Sequence, residues 1–203
     1  MKINNGYISK TAIIHKNVCL GSNVIIEDGC IVGLPFAKMK GECTVIGDNA
    51  HIRAGTYIYA GNTIGQNFQT GNKANVRELN TIGDNVSIGT LTTIEHHVHI
   101  ANNVRIHSQV FVPEFTILKS GCWLGPNVVI TNAKYPMIAN SKQTLQGVII
   151  NDNAKIGANS TILPGVEIGG NTLIGAGSVV TKSISSNVVA YGNPAKTVRK
   201  IHY

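Results

Sequence analysis

Aliphatic residues return every six positions along almost the whole chain. From Ile46 the spacing runs through Ile52, Ile58, Ile64, Thr70, Val76, Ile82, Ile88, Ile94, Ile100, Ile106, Val112, Leu118, Leu124 and Ile130, and only Thr70 departs from the aliphatic rule. It resumes from Ile150 to Val180, and it precedes Ile46 at Ile8, Ile14, Leu20, Ile26 and Val32. A period of six fits neither an α-helix, which repeats every 3.6 residues, nor a strand alternating every two. Four residues after each aliphatic comes a smaller one, as at Val86, Thr92, Val98 and Cys122. Three residues after it Asn recurs, at Asn17, Asn23, Asn49, Asn67, Asn85 and Asn103 among others. Asn tolerates the left-handed backbone of a tight corner. Each hexad therefore predicts a short strand and a corner, and three hexads close one triangular coil.

The expected fold is all-β, a parallel β-helix of about nine coils stacked at the spacing of a sheet. Residues 1–182 form the β-helix, and 183–203 form a short tail containing a short helix. Two segments leave the register, at about 33–45 and 132–148. Both follow an aliphatic slot, Val32 and Ile130. Once the eight extra residues of the first are removed, Val32 falls in the 18-residue column of Ile58, Val76, Ile94, Val112 and Ile130, so both leave from one edge of the prism. Loops on a rigid scaffold are where function is usually placed.

That edge carries the candidate chemistry. Two residues beyond the aliphatic, the corner slot holds Ala60, Glu78, His96, Glu114 and Asn132, each 18 residues from the next. His96 is expected between Glu78 and Glu114. A carboxylate beside an imidazole fixes its tautomer and stabilises the imidazolium, as a general base requires. One slot earlier lie Tyr59, Arg77 and Glu95; Arg77 either meets a pyrophosphate or pairs with Glu95. His97 occupies a slot usually held by Asn, and His107 shares another column with Arg53, Gly71, Gly89 and Gly125. We take Arg53, Arg77, Glu95, His97, His107 and Asn132 as candidate substrate contacts. Phe36 and Lys38 of the first excursion and Tyr135 of the second join them.

Composition narrows the classes. Hydrophobic residues make up 43% and charged residues 13%, which suits a folded domain with a narrow aliphatic core. No apolar run is long enough for a membrane helix, and Met1 to Asn5 lacks the apolar stretch of a signal peptide. Cys19, Cys30, Cys43 and Cys122 show no CxxC spacing, so the expectation is reduced cysteines in a cytoplasmic protein. The net charge of +7 suits a polyanionic small ligand. The basic residues are scattered and no aromatic platform accompanies them, so nucleic acid is not expected as a partner.

The repeat resembles the hexapeptide-repeat acyltransferase superfamily, whose fold is a left-handed parallel β-helix. The resemblance covers nearly the whole chain and is more specific for fold than for function. The segments Ile156-Gly157-Ala158, Ile174-Gly175-Ala176 and Tyr191-Gly192-Asn193-Pro194-Ala195-Lys196 look like the coenzyme A end of hexapeptide acetyltransferases. The resemblance implies acetyl-CoA as co-substrate, no metal, and a homotrimer with active sites at subunit seams. By motif, Ala158 and Ala176 would meet the pantetheine, and Thr181 and Lys182 the adenine end. Lys196 and Arg199 would meet phosphates, beside Pro194.

Ile94-Glu95-His96-His97-Val98 looks like the catalytic segment of sugar-nucleotide acetyltransferases, in which His96 would be the general base. This chain has His97 where those enzymes have an acidic residue, so Glu78 or Glu114 would activate His96. The stretch from Gly125 to Pro136 resembles single-domain enzymes acting on nucleotide-linked amino sugars. Galactoside and maltose acetyltransferases have a catalytic His where this chain has Tyr135. The implied activity is transfer of an acetyl or other short acyl group to the amine of a nucleotide-diphosphate amino-deoxysugar, in polysaccharide or glycoconjugate precursor synthesis. O-acetylation of another small acceptor and a non-catalytic trimeric scaffold are the alternatives. An amine is nucleophilic once neutral, so a protein base is not obligatory. A zinc site of the γ-carbonic anhydrase kind would need two histidines five residues apart, and no pair has that spacing.

Overall fold

In the computed structural model, which describes residues 5–201, the six-residue rhythm becomes strands of mostly two residues joined by corners. Successive side chains on a strand point to opposite faces, so each strand holds one inward aliphatic. Ile58, Val76, Ile94 and Val112 are fully buried in this way. Coils pair in parallel 18 residues apart: Val76 lies beside Ile58 and Ile94, and Thr81 lies beside Thr63 and His99.

Three sheets result. The first has eleven strands beginning at Tyr7–Ile8, the second nine from Ile13–Ile14 to Val179–Val180, and the third eight from Val18–Leu20 to Glu167–Ile168. The chain is a left-handed parallel β-helix of nine coils and the opening strand of a tenth.

The exception at Thr70 has a local cause. Phe68, two residues earlier on the same inward side, is fully buried and supplies the missing volume. The Thr70 hydroxyl accepts the Arg53 N–H at 2.9 Å, so no buried polar group is stranded there.

Corners take left-handed backbone, with φ near 58° at Asn23, Asn49, Asn67, Asn85 and Asn127. Between the third and first sheets these amides form a ladder, Asn67 to Asn85 at 2.8 Å and Asn85 to Asn103 at 3.1 Å. Asn17 does not share that conformation; its amide instead donates to the Gly41 carbonyl at 3.3 Å and ties down the first excursion.

The first excursion spans 35–43 rather than 33–45. Gly33 and Leu34 stay in the second sheet through a bulge that places Leu34 beside Tyr59. Gly33 has φ of +77° and an added Cβ would fall 2.4 Å from Val18 Cγ2, so glycine is required there. The second excursion, 131–148, contains one short 3-10 turn at Ser141–Thr144.

The tail differs from the expected helix. Ile184 bridges to Ile168, Val188–Gly192 extends the first sheet, and Ala195–Lys200 folds back on it antiparallel. Val188, Val189 and Ala190 are buried against the last coil, and that apolar run favours a strand over a helix. Cys30 and Cys122 are buried, and burial pushes the Cys122 thiol up to about 12. Among the described residues no helix is long and apolar enough to cross a membrane.

Candidate active site

Both excursions leave where the second sheet turns into the third. Along that edge the left-handed slots hold Leu79, His97 and Phe115, with φ of 62°, 57° and 65°. Leu and Phe have no local hydrogen bond to offset this conformation, which costs on the order of 1–2 kcal/mol per residue. Strain of this kind tends to collect at functional sites.

The corner column pairs differently from the even stack that spacing alone implies. Glu78, only 8% exposed, spends its carboxylate on its neighbour Arg77, with Nε to Oε2 at 2.9 Å and Nη2 to Oε1 at 3.2 Å. Those bonds hold the Arg77 guanidinium above its ordinary pKa. Arg77 also reaches Glu95 at 3.5 Å and lies 4.9 Å over the Tyr59 ring. The carboxylate that faces His96 is Glu114, with Oε1 at 3.6 Å from Nε2. Glu114 is held in turn by Asn132, whose Nδ2 donates to Oε2 at 2.7 Å. Glu78 is therefore corrected from a partner of His96 to a partner of Arg77.

His96 Nδ1 lies 2.8 Å from His97 Nδ1, and Phe115 packs edge-on to His96 with centroids 6.2 Å apart. Glu95 stands beside this pair. Burial raises its carboxyl pKa; Arg77 opposes that, and Glu114 and Glu78 add to it.

Two residues escape a search for chemistry by residue type. Asn62 and Asn80 occupy small inward slots and are buried. Both donate to the Arg77 carbonyl at 2.8 Å, while Asn62 accepts the Asn80 N–H at 3.0 Å and Asn80 accepts the Val98 N–H at 2.7 Å. They fix the backbone that carries Arg77 and Glu78. Amides in slots that elsewhere hold Val, Thr or Ala are the signal that identifies them.

A groove of about 540 Å³ opens beside the pair, lined by Phe36, Lys38, Lys40, Arg77, Glu78, His96 and His97. The remaining candidates lie elsewhere. Arg53 and His107 line a smaller groove at the corner between the first and second sheets. There Arg105 Nε donates to His107 Nε2 at 3.2 Å, and burial followed by the Arg105 charge lowers the His107 pKa. Tyr135 is exposed on the second excursion with the Lys134 ammonium 5.7 Å from its ring centre.

Ala158 and Ala176 stack on the corner between the first and second sheets. Thr181 and Lys182 follow the last strand of the second sheet, on the same edge as His96. Pro194, Lys196 and Arg199 are exposed on the terminal hairpin. One chain therefore divides these groups between two edges of the prism. Among the described residues no group of three or more His, Cys, Asp or Glu is arranged to hold a metal ion.

Two family models match the chain. That for the bacterial transferase hexapeptide (six repeats) matches residues 81–114 and 147–182, and that for the hexapeptide repeat of succinyl-transferase matches 23–60. Together they cover more than half of the sequence. Protein CapG of Staphylococcus aureus is 44% identical over 104 residues, 51% of this chain and 53% of that protein. The galactoside O-acetyltransferase of Lactococcus lactis is 46% identical over 82 residues, 38% of this chain and 40% of that enzyme. The chain thus spans about half the length of the curated relatives it matches, or somewhat less. The UDP-N-acetylglucosamine acyltransferase of Francisella novicida shares the fold, with a TM-score of 0.79 at 18% identity over 94% of this chain and 69% of that one.

Proposed function

The chain belongs to the hexapeptide-repeat, left-handed β-helix acyltransferase superfamily, and on that premise we propose that it transfers an acetyl or other short acyl group from acyl-CoA to the amine of a nucleotide-diphosphate-linked amino sugar. One observation carries the choice of an amine. Glu114 faces His96, and beside it Glu78 and Glu95 share the single guanidinium of Arg77, so three carboxylates meet one paired cation along this edge. That excess of negative charge favours an ammonium acceptor over a neutral hydroxyl. Lys38 and Lys40 in the lining of the same groove suit a diphosphate, and Phe36 offers a ring against which a base can stack.

The ammonium gives one proton to the histidine pair and becomes the nucleophile. Its nitrogen bonds to the thioester carbonyl carbon, the carbon–sulfur bond breaks, and the imidazolium proton goes to the departing sulfur. The second proton lost from nitrogen leaves to solvent. Glu114 stabilises the imidazolium formed in between.

The division of groups between two edges favours a trimer with sites at the seams. The small residues at Ala158 and Ala176 leave room for a pantetheine chain, and Lys196 and Arg199 suit its phosphates. A neighbouring subunit would bring its own His96 edge to that column. Thymidine- and uridine-diphosphate amino sugars, and their hydroxyl counterparts, incubated with acetyl-CoA and followed by mass spectrometry, test the proposal. Acylation of the amines alone is expected; acylation of the hydroxyl series alone overturns it.

A further inference from the structure

Two histidine rings sit side by side at the candidate site, and the contact between them constrains their protons. His96 Nδ1 and His97 Nδ1 are 2.8 Å apart. Two N–H groups repel at that distance and two lone pairs form no bond, so one proton lies between the nitrogens.

Glu114 decides which ring supplies it. Its Oε1 faces His96 Nε2 at 3.6 Å, and an ionised carboxylate only accepts. At that distance the carboxylate acts through its charge rather than a hydrogen bond, and it favours the hydrogen of His96 on Nε2, which turns the Nδ1 lone pair toward His97. The shared proton belongs to His97 as Nδ1–H. The lone pair left open is on His97 Nε2, and His97 is exposed on the groove that Phe36 and Lys38 line.

Resting on the acyl-transfer reading, we propose that the acceptor proton enters at His97 and is relayed to His96, so that His97 is the residue that touches the reacting nitrogen. The acceptor N–H bond breaks and its electron pair stays on nitrogen. The proton bonds to His97 Nε2 while the Nδ1 proton of His97 moves to His96 Nδ1. His97 ends neutral, and the positive charge rests on His96 beside Glu114, with the Glu95 charge close by. The reverse shift returns the proton to the departing sulfur. Phe115, with centroids 6.2 Å from His96 and 5.9 Å from His97, packs against both rings. His97 adopts the φ of 57° that Asn adopts at the equivalent corners, so its imidazole is not needed for the turn.

Two measurements test the relay. His97→Asn keeps the corner conformation and removes the ring. It is expected to lower kcat about 100-fold or more with little change in acceptor KM, and added imidazole is expected to restore part of the rate. Long-range 1H–15N spectra of histidine-labelled protein, without substrate and with both rings neutral, are expected to show His97 as the Nδ1–H tautomer and His96 as the Nε2–H tautomer. Undiminished kcat in His97→Asn, or His97 as the Nε2–H tautomer, overturns the relay. If the unaltered protein transfers no acyl group to any acceptor, the functional reading fails instead, and the spectra still decide the tautomers.

Discussion

The guanidinium of Arg77 closes on the carboxylate of Glu78 through two hydrogen bonds, of 2.9 and 3.2 Å. Glu78 is the more buried partner, with 10% of its side chain exposed against 32% for Arg77. Replacing Arg77 with Met leaves that carboxylate without its donors. The expected cost is about 1–3 kcal/mol, that of an unsatisfied buried acceptor. Urea denaturation of the variant measures it, and an unchanged midpoint would show that Glu78 finds another partner.

Glu95 is expected to cost stability in exchange for acceptor binding. Burial holds its carboxyl above the usual range, so folding favours the protonated form. Nothing is lost below the ordinary carboxylate pKa, and the penalty grows as pH rises through the raised value. Glu95→Gln is therefore expected to raise Tm at about pH 8 and to lose that advantage toward about pH 4. The same variant should raise the acceptor KM about tenfold, the loss of one charged contact. Melting curves across pH and acceptor titrations read the two effects separately.

Asn80→Val removes the acceptor of the Val98 N–H and one donor to the Arg77 carbonyl. About 1–3 kcal/mol of stability should be lost for a buried group left unpaired. Activity should fall further than stability, because the displaced backbone carries Arg77 and Glu78. Asn80→Asp, which keeps an acceptor for Val98, should recover part of the stability.

The fold was legible because each hexad has one large inward slot, and an aliphatic fills nearly every one. Steps of 18 then gave the stacking of Ile58, Val76 and Ile94, and allowing for the eight extra residues of the first excursion added Val32; the strand register matches. Side-chain pairing followed a different rule. Glu78 sits one coil from His96, yet the long Arg77 side chain next door reaches it first. Periodicity places backbones and says nothing of which neighbour a flexible side chain meets. The repeat ends at Val180, so spacing gave no guide to the tail. Burial of Val188 to Ala190 on the last coil decides for strand. Asn62 and Asn80 stand out by slot, but their bonds to the Arg77 carbonyl depend on side-chain geometry that spacing does not fix.

Seam sites have a specific signature. His96 lies on one edge and Ala158 on another, so a seam of the proposed trimer would take one from each of two subunits. An Ala158→Trp variant and a His96→Asn variant should each be nearly inactive. Mixed after dissociation and reassembly in equal amounts, they should recover about a quarter of the normal activity, the fraction of seams with both edges intact. No recovery would place the whole site within one subunit.

The measurement closest to the central claim is the kcat of His96→Asn with acetyl-CoA and a nucleotide-linked amino sugar at neutral pH. A fall of about 100-fold or more is expected, with acceptor KM little changed, as for removal of a general base. An unchanged kcat would mean that the amine attacks without help from the His96 edge, and would contradict the account.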